Sequence, residues 1–425
     1  MNFDLSPRAV RWLARLEAFQ QRYLLPHNAA WHAAAARGEH PAFVADLRAL
    51  AREEGLWNLC LPRLPAGAPG TALSHEDYAP LAEAMGRLPW AAEVFNCHAP
   101  DSGNMELLLQ HGSQAQRRRW LDPLLAGEMR SAFAMSEPDV ASSDPTGLAT
   151  EVRRDGDMLV VSGRKWFITG AAHPDCRLLV VVCRNADAPE GERHGAHSLV
   201  LVPMDSPGFE CVRNIPVLQH TALDGHCEIV LRNVRVPADH LLGGWGEGFA
   251  LAQSRLGPGR VHHCMRTLGQ CELALALACD RALERRAFGK PLAQQANVQE
   301  WIAESRIEIE QARLLVLRTA WALDQPEPPA DLRACIAAIK VVAARLQVRV
   351  VDRAIQVFGA MGLSPDTPLA YFLTWGRALR LMDGPDEVHL RTVARSELRR
   401  AEEQRGRWAD YFTTPEQMAA PVRLR

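Results

Sequence analysis

From Ser6 to about Arg130 the apolar positions recur at helical spacing: Val10, Leu13, Leu16 and Phe19, then Phe43, Leu47 and Leu50, then Leu107, Leu108, Trp120 and Leu121. Such spacing places them on one face of a helix and predicts a helical first region. The Pro- and Gly-rich piece 61–70 and the small-residue piece 97–104 interrupt it and read as loops or helix ends. Past Phe133 the period changes. Short aliphatic and β-branched runs at 158–162, 178–183, 197–202 and 228–231, separated by turn signals such as Asp155-Gly156 and Pro207-Gly208, predict a compact β region. After Gly243-Gly-Trp-Gly-Glu-Gly248 the helical period returns in blocks around 249–284, 295–323, 330–360 and 368–403, which suggests an antiparallel four-helix bundle. The expected fold is therefore α+β and multidomain: helical over 1–130, a β-barrel or sandwich over 131–242, and a helical bundle over 243–425.

The last block contains an acidic turn, Leu381-Met-Asp-Gly-Pro-Asp-Glu-Val-His389. Local sequence alone reads it as a helix start, with Gly384 at the cap, Pro385 in the first helical position, and Asp386 and Glu387 near the positive end of the dipole. Anything more must come from elsewhere in the chain.

Length and charge narrow the picture. A chain of 425 residues exceeds what one core usually supports, so a large ligand pocket fits within it. Lys and Arg number 48 against 50 Asp and Glu, which provides no polycationic field for nucleic acid or a membrane surface. No tripartite leader follows Met1 and no apolar run reaches the ~18 residues that a spanning helix needs. The ten cysteines are dispersed, with no C-x-x-C pair, and fit a reduced, cytoplasmic setting. No G-x-G-x-x-G follows a strand, which argues against a Rossmann nucleotide site.

Two stretches carry candidate chemistry. Ala134-Met-Ser-Glu-Pro-Asp-Val-Ala-Ser-Ser-Asp144 can present backbone N–H groups and hydroxyls to a polar ring or a phosphate, although alone it reads as a Ser-rich connector. Gly163-Arg-Lys-Trp-Phe-Ile-Thr-Gly170 places two aromatics and a hydroxyl at a strand end, which suits a flat heteroaromatic ligand, or else places Trp166 and Phe167 in the sheet core.

Together, in this order and spacing, these stretches resemble the acyl-CoA dehydrogenase family. The resemblance continues through Glu54–Leu59, Ala99–Met105, Arg255-Leu-Gly-Pro-Gly-Arg260, Arg285-Arg-Ala-Phe-Gly-Lys290, Gln356-Val-Phe-Gly-Ala-Met-Gly362 and the acidic turn. It is nearest the subgroup related to the dehydrogenase portion of fusion proteins that also carry a kinase-like domain.

The resemblance implies FAD between the β region and the bundle. Phe133, Met135 and Ser136 match the strand facing the flavin ring, Phe167 and Thr169 the aromatic and hydroxyl beside N5, and Ser142 a hydroxyl shared by the FAD phosphates and the CoA arm. Arg285, Phe288, Gln356 and Gly359 match positions that reach a neighbour's FAD, which implies at least a dimer, as a homodimer or homotetramer. Arg260 matches the arginine beside the CoA portion, Asp383 the position of the glutamate that removes the α-proton and whose backbone N–H helps polarise the thioester, and Gly384 a substrate-binding position. The implied activity is α,β-dehydrogenation of a fatty or branched acyl-CoA in fatty-acid β-oxidation, with electrons passed to an electron-transferring flavoprotein. Flavin oxidases of this scaffold, resembling nitroalkane oxidase or acyl-CoA oxidase, and an inactive binding relative are the alternatives.

Several positions depart from the family pattern. Aspartate replaces the usual glutamate at 383, and the 255–260 stretch holds no alternative carboxylate. A base desolvated against flavin and acyl chain is expected to have a raised pKa. Pro385, Glu387 and Ala296 differ from the usual adenosine contacts, while Asp386 and Glu387 remain candidates on the cofactor side. His262, His263 and His389 lack a completing ligand, so no metal is expected. The floor of an acyl pocket is expected near 93–104, where Ala99-Pro100 and Ser102-Gly103 leave room.

Overall fold

A computed structural model describes residues 4–408 and 411. The end of the expected third region, residues 412–425, lies outside the described residues. The helical period of the first region yields helices at Pro7–Phe19, Phe43–Glu53, His75–Gly86 and Asp101–His111, with shorter turns between them. Ser6 and Ser74 cap two of these by accepting from the backbone N–H of Ala9 and Asp77.

The β region contains eight strands: β1 Arg130–Ala134, β2 Glu151–Asp155, β3 Met158–Thr169, β4 Cys176–Asn185, β5 His197–Pro203, β6 Phe209–Asn214, β7 His226–Pro237 and β8 Leu241–Leu242. They run in the order β6-β7-β3-β2-β4-β5-β8, with β1 added in parallel along β4. The central strands β4 and β5 are buried on both faces, which is why they read as unbroken aliphatic runs. The β3–β7 register slips between Lys165 and Ile168, and the extra residues there turn Phe167 outward at φ 52°.

Long helices follow at Gly248–Glu284, Ala296–Asp324 and Leu332–Phe358. The fourth expected helix is instead two, Leu369–Leu379 and Asp386–Glu403, because Gly384 at φ 101° and Pro385 cannot continue the first. Pro385 itself is the N-cap, so the last helix starts at Asp386, one residue later than the local sequence suggested.

The first region docks on the long Gly248–Glu284 helix through a glycine crossing. A Cβ on Gly269 would lie 1.8 Å from the Glu83 carbonyl oxygen, and one on Gly86 would lie 2.0 Å from that of Arg266. Only glycine permits this approach, which sets the helix carrying Arg255 and Arg260 against the residues near 100–104. One apolar cluster runs continuously from Leu16 through sheet residues such as Val180 and Leu199 to Val350 and Phe372, so helical and sheet regions share an interior.

Candidate active site

The two stretches that flank the sheet meet in space. Lys165 is fully buried, and its Nζ donates to Met135 O at 2.9 Å, to Val182 O at 2.7 Å and to Glu137 Oε1 at 2.8 Å. Glu137 also accepts from the N–H groups of Ala149 and Thr150, so the 134–144 loop is anchored by a satisfied buried pair. Trp166 N donates to Ser136 O at 3.0 Å, which sets the aromatic stretch beside Met135 and Ser136. Phe167 is 43% exposed and is therefore not sheet core. Thr169 Oγ1 lies 3.0 Å from His226 Nδ1, and Ser142 is on the exposed part of the loop.

The acidic turn is pinned by cations at each corner. Buried Lys340 donates to the Leu379 carbonyl, Arg260 Nε donates to the Asp383 carbonyl at 2.8 Å, and His389 Nε2 stands 3.2 Å from that same oxygen. The Asp386 carboxylate, 2% exposed in its side chain, pairs with Arg380 Nε at 2.8 Å and Arg345 Nε at 3.1 Å. These contacts hold Asp383 at φ 54°, a left-handed conformation that a non-glycine residue keeps only when its surroundings impose it. The last two acids of the turn are therefore unlike: Asp386 is an internal ion-pair anchor, whereas Glu387 is exposed.

The Asp383 side chain itself is left comparatively open. Its nearest titratable partner is His263, charged only when protonated, with Nε2 3.5 Å from Oδ2, and about a quarter of each side chain is exposed, 26% and 27%. Burial pushes the Asp383 carboxyl upward, but His263, Arg260, Arg255 and Lys340 together outweigh it and hold the carboxyl below its ordinary value. In the unliganded chain neighbouring basic residues prevail over desolvation, whereas the expected rise belongs to a carboxyl shut in against flavin and acyl chain.

Arg255 was not among the expected site residues. Its Nε donates to Asn104 Oδ1 at 2.9 Å, a second guanidinium nitrogen to Pro100 O at 3.2 Å, and Cζ sits 4.2 Å from the centre of the Phe133 ring. Burial lowers its pKa to about 10, against the raising influence of Asp383. The room left by Gly103 is filled by this side chain, since a Cβ there would meet Arg255 Cζ at 3.2 Å; it is not acyl space as expected. The parts played by Lys340 and His263 beside the base also went unread. The one available signal was a glycine between polar residues, Ser102-Gly103-Asn104, which reports a close neighbour but not its identity. A cavity of about 520 Å³ is lined by Arg63, His75, Glu106, Gln110, Gly257 and Asp324, but by neither Asp383 nor the Phe133–Thr169 group.

Arg260 is placed against the base turn through its bond to the Asp383 carbonyl. Arg285 and Phe288 occupy an exposed hairpin, Phe288 being 99% exposed, and Gln356 and Gly359 lie exposed at the end of Leu332–Phe358. Among the described residues these four make no hydrogen bond or ring contact with the flavin-stretch residues. His263 and His389 both attend Asp383, whereas His262 packs against His75 and Tyr78.

This arrangement defines a helical–sheet–helical scaffold with a partly exposed carboxylate on an acidic turn and an exposed aromatic at a sheet bulge. Matches to the N-terminal, middle and C-terminal domains of acyl-CoA dehydrogenases cover residues 8–128, 132–234 and 246–398. Probable acyl-CoA dehydrogenase FadE2 of Mycobacterium tuberculosis is 48% identical over 94% of this chain and 98% of its own length. Acyl-CoA dehydrogenase family member 11 of Rattus norvegicus is 45% identical over 93% of this chain, which spans about half, 51%, of that longer relative. A solved Mycobacterium abscessus structure, 46% identical, superposes with a TM-score of 0.88 over 94% of this chain and 100% of that one. Butyryl-CoA dehydrogenase of Megasphaera elsdenii shares the fold at 24% identity, with a TM-score of 0.80 over 94% of this chain and 100% of its own. The chain belongs to the acyl-CoA dehydrogenase family, a family of oxidoreductases.

Proposed function

We propose that the chain uses FAD to dehydrogenate an acyl-CoA between Cα and Cβ, with Asp383 as the base. The observation that carries this reading is the asymmetry at Asp383: its carbonyl is bonded to Arg260, while among the described residues its carboxylate's one ion-pair contact is His263, at 3.5 Å. A carboxylate fixed through its backbone and free at its oxygens is suited to receive a proton.

Three features of the chain fit FAD. Phe167 presents an exposed ring at the bulge, beside Thr169. Among the described residues His226 Nε2 is buried with no hydrogen-bond partner next to Thr169, and Gly359, at φ 67°, leaves open space where a Cβ would be. Phe133, Met135, Ser136, Phe167 and Thr169 would face the ring, with Ser142 at the phosphates and CoA arm. Asp386, being committed to Arg345 and Arg380, would act on the cofactor side only by holding the turn, and Glu387 is the accessible acid there. Bound FAD would supply the hydride acceptor.

The α-proton of the thioester passes to an Asp383 carboxylate oxygen while the β-hydrogen leaves with its electron pair, giving the trans-2-enoyl-CoA. The backbone N–H at the base, with Gly384 beside it on the substrate side, polarises the thioester carbonyl, a fixed donor that needs no reorganisation during the reaction. Seating an acyl thioester against Asp383 strips water from it and raises its proton affinity at the moment it is required. Arg260 keeps the shorter aspartate at the working distance, since a misplacement of ~1 Å can cost ~10²-fold in rate.

Arg285, Phe288, Gln356 and Gly359, exposed in one chain, would complete the FAD site of a second copy. The acceptor would be an electron-transferring flavoprotein, and the domain limits 1–130, 131–242 and 243–425 would follow the three family domains. The 45% identity to family member 11 supports the subgroup carried in longer proteins. The test is anaerobic titration of the purified protein with straight and branched acyl-CoAs. Bleaching of bound flavin is expected, and a colourless protein, or flavin that no acyl-CoA bleaches, would overturn the reading. Reoxidation by an electron-transferring flavoprotein faster than by air is expected of a dehydrogenase, and the reverse would make it an oxidase.

A further inference from the structure

Thr169 and His226 face each other as cross-strand partners at the end of β3 and β7. Their side chains meet at 3.0 Å through Oγ1 and Nδ1. His226 is 4% exposed, and its backbone N–H is fixed by Asn214 Oδ1 at 2.8 Å. On its other side the imidazole contacts the indole of Trp375, ring centres 5.4 Å apart, with His220 and Tyr371 beyond. Burial, aided by His220, holds the ring neutral down to about pH 4, so near neutrality one nitrogen carries the proton and the other does not.

The surroundings choose the tautomer. Among the described residues Nε2 is buried with no hydrogen-bond partner. A proton on Nε2 would be a buried donor with no acceptor, which folded proteins tolerate less than an under-satisfied acceptor. A proton on Nδ1 finds Thr169 Oγ1 as its acceptor. The hydroxyl oxygen then receives from His226, and the hydroxyl's own proton cannot point back into the sheet.

We propose that His226 is a positioning residue: by donating from Nδ1 to Thr169 Oγ1 it directs the Thr169 hydroxyl proton outward, towards the flavin edge. This rests on the FAD reading above. Two substitutions separate donation from bulk: His226→Asn keeps an N–H near the position of Nδ1, whereas His226→Leu fills similar space with no donor.

FAD release from the purified holoprotein and the flavin reduction potential would be measured in wild type, H226N, H226L, T169V and the T169V/H226L double variant. Expected is about a tenfold weaker FAD affinity and a displaced potential in H226L, substantially restored in H226N, with H226L adding nothing in the T169V background. A purely structural role predicts losses that add in the double variant and no rescue by asparagine; either outcome overturns the proposal, as does an H226L protein identical to wild type. If H226L fails to fold, H226N against T169V still decides, because H226N must then match wild type and T169V must not. A wild type that holds no flavin overturns the functional reading itself, which distinguishes that failure from a failure of His226.

Discussion

Asp101 and Asp383 both act electrostatically on Arg255, yet the chain treats them oppositely. Asp101 is saturated: Arg130 Nε at 2.6 Å, His98 Nε2 at 2.7 Å, and the Ser131 N–H and hydroxyl at 2.6 and 2.5 Å all reach its oxygens. Burial raises its proton affinity, but Arg130, His98 and Ser131 more than reverse this and hold the carboxyl far below the usual range. Arg130 in turn bridges Asp101, Glu93 and Asp224, tying the first helical region to the sheet. At Asp383 the donors go to the backbone carbonyl instead, and the side chain keeps one weak partner. A carboxylate that holds the fold has its lone pairs filled. One that does chemistry has its position fixed and its lone pairs left available.

The largest expected effect tests the second half of that contrast. Asp383→Asn should slow flavin reduction by acyl-CoA ~10²–10⁴-fold, the usual worth of a positioned general base. Its melting should stay close to wild type, because the turn is held through the carbonyls of residues 379 and 383 and through Asp386. Rapid-mixing absorbance of the flavin is the measurement, and unchanged bleaching would remove Asp383 from the base role.

Next in size is the first half. Asp101→Asn should destabilise the protein by about 3–5 kcal/mol in urea unfolding, since a buried cation loses its charged partner. Arg130 keeps Glu93 and Asp224, which places the expectation at the lower end. A loss as small as that of Asp383→Asn would erase the distinction between the two acids.

How much of this could be read from the residues alone follows from distance along the chain. The helical and sheet regions were readable because their periods are local, and the strand runs at 178–183 and 197–202 lie inside β4 and β5. The break in the last helix was half visible: Gly384-Pro385 announced a helix start, but not that it split a block into two helices. Phe167 could be read as core or as a wall, because a bulge that reverses a side chain leaves no mark in a run of β-formers. Arg255 and Lys340 were invisible as site residues because their partners, Asn104 and the Leu379 carbonyl, are remote in sequence and are identified by packing. Asp101 had no signature at all beyond an acid in a small-residue stretch.

A smaller effect probes how position is kept at Asp383. Arg260→Met removes the donor to the Asp383 carbonyl without removing the base. A net hydrogen bond from a charged group is worth ~1.5–3 kcal/mol, so about a tenfold or greater fall in the rate of flavin reduction is expected, read by the same rapid mixing. Because His389 Nε2 also faces that carbonyl, Arg260→Met/His389→Phe should fall further than either change alone. Equal rates in wild type and Arg260→Met would mean that the left-handed corner is maintained by Lys340 and Asp386 without it.

The smallest effect is a displaced pH limb, and its sign follows from the charges around Asp383. Burial raises that carboxyl and His263, Arg260, Arg255 and Lys340 lower it, with a net result below the ordinary 3.8. The acid limb of kcat/KM reports the unliganded enzyme, so Asp383 should contribute no loss on acidification until below pH 3.8. Stability behaves differently over part of that range. His226, His263 and His389 are each held at about 4, chiefly by burial, against an ordinary 6.5, so the unfolded chain binds more protons between those values. Their contribution to stability is full above 6.5 and is lost as pH falls through 4. The limb must therefore be measured by a brief pH jump from neutral buffer, with unfolding followed separately. Arg255→Met withdraws one of the charges that lower Asp383, and its acid limb should move upward from the wild-type position. A limb that stays in place would show that Arg255, despite its ring contact with Phe133, does not act on the base, and that the openness of Asp383 rather than its charged surroundings sets its proton affinity.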